Sequence, residues 1–141
     1  MGPRLLSAIA LVALAVPAHA QGDAEAGEKD FRQCAACHMI ESPDEVIAKG
    51  GKVGPNLYGV IGRAAGSEDF AYSDLMLAAG ENGLVWDEES FTAYTQDPTA
   101  FLREYTGESS GRGKMTYKLR KEEQAANIWA YLASVGPESG S

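Results

Sequence analysis

The segment Cys34-Ala35-Ala36-Cys37-His38 constrains this chain more than any other. Two thiols separated by two residues, with an imidazole directly after the second, form the attachment pattern for a c-type haem. One turn of backbone presents both sulfurs to the two vinyl groups, forming thioethers, while the histidine lies under the iron. A Cys34–Cys37 disulfide or a thioredoxin-like redox pair would leave the histidine without a role. The redox pair also expects a βαβ context, and the flanking residues carry no such pattern. These are the only cysteines, so no other disulfide framework competes for them.

Residues 1–20 read as a signal peptide rather than as a segment of the fold. Arg4 supplies a short positive start, Leu5 to Val16 an apolar run, and Ala18-His19-Ala20 a small-x-small cleavage site. The run falls short of the ~20 residues that a spanning helix needs, and the chain turns polar at Gln21. Cleavage after Ala20 is expected, leaving residues 21–141 as a single domain. Export suits cysteines that are to carry haem, because covalent attachment in bacteria takes place outside the cytoplasm. The whole chain has a net charge of −8, and loss of Arg4 makes the mature chain more negative still, by a single charge. Such acidity excludes a nucleic-acid binder and favours a soluble monomer.

Helix signals dominate the mature chain, with no repeats or long linkers. Asp23 can cap a first helix that places Ala24, Gly27 and Phe31 on one face and runs into Cys34. Residues 41–66 are Gly-rich, contain Gly54-Pro55, and read as an irregular loop. Ser73 caps a short helix ending at Gly80, and Asp87 caps another with Glu88 and Glu89 in its first turn. Asp97-Pro98 starts a further helix, with Pro at the first helical position. A polar Gly/Ser loop covers residues 106–114. The last helix spans Glu122 to Val135, aligns Ala125, Ile128, Leu132 and Val135, and stops at Gly136-Pro137. No strand pattern emerges. The expected class is all-α, four to five helices wrapped around one haem with long loops.

His38 gives the iron one ligand and leaves the opposite face open. His19 departs with the signal peptide, so no second histidine is available. A thioether is the usual partner in electron transfer, and it raises the reduction potential. Met39 neighbours His38 and cannot reach the far face. Met76 sits in the apolar stretch Asp74-Leu75-Met76-Leu77 and reads as core filler. Met115 follows a glycine-bearing loop, Gly107 to Gly113, that can approach a flat cofactor closely. Ligand softness and elimination favour Met115.

With these motifs in this order, the mature chain resembles the class I c-type cytochromes, specifically the bacterial cytochrome c₂ and c-550 group, close to mitochondrial cytochrome c. Gly27 and Phe31 resemble the first-helix pair that packs on the last helix, here at Ile128 and Tyr131. Gly54-Pro55-Asn56-Leu57-Tyr58-Gly59 is similar to the loop beside the proximal ligand. The resemblance implies that the Pro55 carbonyl accepts the second N–H of His38. It implies that Arg63, Tyr72, Ser73 and Trp86 surround the haem propionates, and that Tyr94 lies near the methionine sulfur. Lys114-Met115-Thr116-Tyr117-Lys118 resembles the segment carrying the sixth ligand. Gly113 departs from the pattern, since relatives commonly carry a hydroxyl residue two before the methionine. The stretch from Thr99 to Gly113 is longer than in mitochondrial cytochrome c.

The resemblance further implies a periplasmic electron carrier rather than an enzyme. Electrons would come from a cytochrome bc complex and go to a photosynthetic reaction centre or terminal oxidase. A peroxidase or gas sensor would need an open sixth position, against which Met115 argues. Between Ser109 and Lys121 there is no acid but five bases: Arg112, Lys114, Lys118, Arg120 and Lys121. This basic run brackets Met115 on an otherwise acidic chain, with Lys49 and Lys52 as an extension. It is the expected docking segment, orienting the protein in a partner's field.

Overall fold

A computed structural model describes residues 22–137, together with the isolated residue Gly2. The expected signal peptide, its cleavage after Ala20 and His19 lie outside the described stretch. Five helices carry the fold: α1 (Ala24–Asp30), α2 (Asp74–Glu81), α3 (Glu88–Gln96), α4 (Pro98–Thr106) and α5 (Glu122–Val135). Side-chain caps set several of their starts. Asp23 accepts the Ala26 amide, Ser73 that of Met76, Asp87 that of Ser90, and Asp97 that of Ala100. Helix α2 runs one residue beyond Gly80, and α5 has the expected bounds. A 3₁₀ turn, Phe31–Gln33, carries α1 into the cysteine motif.

One expectation is corrected. The chain holds a two-stranded antiparallel hairpin, β1 (Ile40–Glu41) and β2 (Val46–Ala48), with Ile40 opposite Ala48. Strands of two and three residues are too short to show an alternating pattern. Apart from Ile40, which precedes it, they sit inside the stretch 41–66 read as irregular loop.

The crossing of α1 on α5 organises the core. At Gly27 an added Cβ would overlap the Asn127 carbonyl and press on Tyr131, so only glycine allows this approach. The Phe31 and Tyr131 rings meet at 5.8 Å and 55°. The backbone amide of Asp23 donates to the Asn127 side chain at 2.9 Å, tying the two ends of the fold. The expected partner Tyr131 is therefore in contact, and Ile128 is fully buried in the same core. Burying a side chain such as Ile128 or Leu132 contributes roughly 1.5–3 kcal/mol. Among the described residues no helix is long and apolar enough to cross a membrane.

Candidate functional site

The cysteine motif is a continuation of helical winding. The Cys34 amide donates to Phe31, and the amides of Cys37 and His38 both donate to the Cys34 carbonyl, at 3.1 and 2.9 Å. This turn brings the two sulfurs and the imidazole to one side. Neither cysteine is in a disulfide. Burial, followed by the negative charge of Asp30, pushes the Cys34 thiol up to about 11. An activated redox pair requires the opposite shift, so the thioredoxin-like alternative loses its chemistry here.

The loop after the hairpin zips back onto this turn. The amides of Gly51, Gly54 and Leu57 donate to the carbonyls of Ala35, Cys37 and Met39. Gly54 lies so close to the His38 ring that any Cβ would overlap it. The next residue fixes the ring. His38 Nδ1–H donates to the Pro55 carbonyl at 2.7 Å. A carbonyl can only accept, so Nδ1 carries the proton and Nε2 keeps its lone pair. Burial lowers the His38 pKa against the opposing effect of that bond, and Arg63 lowers it further. The imidazole is thus neutral at pH 7, as a metal ligand must be.

All ten residues singled out in the sequence line one cavity of about 350 Å³, with a mostly apolar wall. Cys34, Cys37, His38 and Pro55 form one side. Arg63, Tyr72, Ser73 and Trp86 contribute from the segment leading into and out of α2, Tyr94 from α3, and Met115 from the loop before α5. Burial raises the pKa of both Tyr72 and Tyr94, keeping their hydroxyls protonated. Met76 is buried in α2 as core packing, yet it also lines the cavity. Sequence reasoning gave no cavity role to Gly54, Leu57, Val60, Phe91 and Thr95, which also line the wall. For the last two a signal existed, because Phe91, Tyr94 and Thr95 share the buried face of α3.

The Met115 segment is pinned at several points. Arg103 donates through Nε and Nη2 to the Gly111 carbonyl, at 2.9 and 2.6 Å. The Gly113 amide donates to Thr99 Oγ1 at 3.0 Å, and the Leu119 amide to the Thr95 carbonyl at 2.8 Å. Lys114 Nζ donates to the Ala71 carbonyl, and the Tyr117 hydroxyl to Gln33. Lys118 pairs with Asp97 at 2.7 Å. Two of the five bases are therefore engaged within the chain. Arg112, Arg120 and Lys121 are exposed and form no ion pair among the described residues.

The donor set fits a covalent haem: two free thiols, a neutral imidazole with one free nitrogen, a thioether, and an apolar wall. Comparison with known proteins agrees. The family model for cytochrome c matches residues 24–136. The chain is 58% identical to the cytochrome c2 of Rhodovulum adriaticum over 118 residues, 82% of this chain and 94% of that protein. With the cytochrome c2 of Cereibacter sphaeroides it shares 55% identity over 137 residues, 94% of each. The crystal structure of cytochrome c2 from Rhodobacter sphaeroides matches with a TM-score of 0.79 at 54% identity, covering 82% of this chain and 97% of that one. Ferric cytochrome c-550 from Paracoccus versutus matches with a TM-score of 0.77 at 48% identity, over 82% and 99% of the two chains.

Proposed function

The chain belongs to the cytochrome c family, and we propose that it is a soluble periplasmic carrier whose iron is held between His38 and Met115. Family membership brings a covalently bound haem c and electron transfer between redox partners, not catalysis. When bound, the haem supplies a one-electron ferrous–ferric couple. Cys34 and Cys37 hold it through thioethers. His38 offers Nε2 to the metal, and its bond to Pro55 sets the ring plane and raises its basicity. Met115 offers a soft sulfur that favours the reduced state.

The remaining residues act on charge and water. Arg63, Tyr72, Ser73 and Trp86 carry N–H or O–H donors for the propionates, whose burial would otherwise cost several kcal/mol each. Ser73 spends its oxygen lone pair on the Met76 amide and keeps its O–H proton for donation. Tyr94 lines the same cavity as Met115 with its hydroxyl kept protonated by burial, and we assign it as the donor to the methionine sulfur. The apolar side chains exclude water, which keeps reorganisation on electron transfer small.

We assign the basic segment Arg112 to Lys121 as the docking face. A cytochrome bc complex is the donor, and a photosynthetic reaction centre or cytochrome oxidase the acceptor. Small, weak interfaces suit such encounters because the carrier must leave quickly.

The observation that carries this reading is the convergence of both thiols, the Pro55-bonded imidazole and Met115 on one apolar cavity. Mass spectrometry of the periplasmic protein tests it. One haem on the peptide holding Cys34 and Cys37, with a chain beginning at Gln21, is expected. An unmodified mass there would reject it.

A further inference from the structure

Arg63 does more than face the cavity. Its Nη1 donates to the carbonyls of Asn56 at 3.1 Å and Tyr58 at 3.3 Å, and to Oε1 of Glu68 at 3.1 Å. Nε and Nη2 have no partner among the described residues, so their three N–H groups remain for an anionic edge of the haem. The guanidinium thus braces the loop that continues from Pro55, the residue whose carbonyl aims His38. Asn56 braces the same loop from its other side. Its Oδ1 accepts the amides of Glu41 and Tyr58, both at 3.0 Å, and its Nδ2 donates to the Glu41 carbonyl at 2.8 Å.

Glu68 lies outside the cavity wall but joins two stretches of it. Its carboxylate holds Arg63, and its backbone amide donates to the Tyr72 hydroxyl oxygen at 3.3 Å. The pair is unequal in exposure, with 12% for the Arg63 side chain and 41% for Glu68. A cation held in so sheltered a place acts on a nearby redox centre through a low dielectric and is weakly screened by salt.

We propose that Glu68 is a positioning residue that clamps Arg63 between the proximal loop and the cavity, and that its negative charge sets the reduction potential below the value Arg63 alone would impose. The proposal rests on the haem reading above. Oxidising the iron adds one positive charge to the site. A bare guanidinium opposes that step and raises the potential, and a carboxylate paired with it offsets the effect. Glu68 also keeps Nη1 turned toward Asn56 and Tyr58, leaving the other donors for the haem.

The test uses the haem-loaded protein, with midpoint potentials from spectroelectrochemistry at low and high salt. Glu68→Gln keeps the shape and an acceptor oxygen but removes the charge, so the midpoint should move upward at both salt levels. Glu68→Asp should return it most of the way to the wild-type value. In an Arg63→Gln background the Glu68→Gln shift should shrink to a minor fraction. As a second readout, NMR exchange of the Arg63 guanidinium protons should speed up several-fold in Glu68→Ala. An unchanged midpoint in Glu68→Gln overturns the proposal. So does an equal shift without Arg63, a shift abolished by salt, or guanidinium exchange indifferent to Glu68→Ala. Failure of the underlying reading is separable, because haem content and the sulfur-to-iron band are recorded on the same samples.

Discussion

His38 shows how few atoms decide the chemistry of this chain. Its neighbours Cys34 and Cys37 were legible because covalent attachment dictates residue type and spacing together. The partner carbonyl of Pro55, seventeen residues away, was legible only through family resemblance; nothing in a Gly-Pro pair announces a hydrogen bond. Gly54 is the clearest omission. Its role is the absence of a side chain beside the imidazole, and periodicity cannot express absence. Gly54→Ala is expected to force the ring or the loop aside and to destabilise the protein by about 1–3 kcal/mol, the usual range for overpacking. Thermal unfolding of the haem-loaded variant measures this, and an unchanged melting temperature would mean that the loop yields freely. The Arg63–Glu68 pair was hidden for another reason. Which acid meets which base across a loop is settled by tertiary packing, not by local sequence.

Helix starts were read well, because a cap is local chemistry. Asp23, Ser73, Asp87 and Asp97 each accept an amide three residues on. The hairpin β1–β2 was missed because two- and three-residue strands carry no period, and tertiary contacts make them. At α3 the reciprocal bonds between Asp87 and Ser90 form a capping box. Replacing Asp87 by Ala should cost about 1 kcal/mol in a denaturant titration. An effect within error would show that the box is dispensable. The same cap predicts a pH dependence. The Ser90 amide and then its hydroxyl hold the Asp87 carboxyl below the usual carboxylate range, and Lys118 followed by the Ala100 amide does so for Asp97. Groups depressed in this way add stability at pH values above the ordinary Asp value of about 3.9 and lose it as pH falls through their native values. Acid titration of Asp87→Asn should therefore show a smaller loss of stability below pH 4 than the wild type. An identical acid limb would contradict the assignment.

The molecule sets an acidic body against a basic segment beside the cavity, and this asymmetry was visible in the sequence. Geometry refines it. Lys118 is paired with Asp97, and Lys114 is anchored on Ala71, so reversing either would disturb the Met115 loop as well as the field. Arg112 and Arg120 are the cleaner probes. Reversing both to Glu should slow reaction with the partner severalfold at low salt and little at high salt, as steering requires. Equal slowing at both salt levels in stopped-flow measurements would make the docking face a contact rather than a field effect. At this level the sequence favoured Met115 over Met76 as the sulfur that takes the iron, and both methionines border the cavity. The sulfur-to-iron charge-transfer band of the ferric protein decides it. The band should vanish, and the potential should fall, in Met115→Ala with haem still attached, while volume-conserving Met76→Leu keeps both. A band that survives loss of Met115, or disappears with Met76, would contradict the His38–Met115 axis.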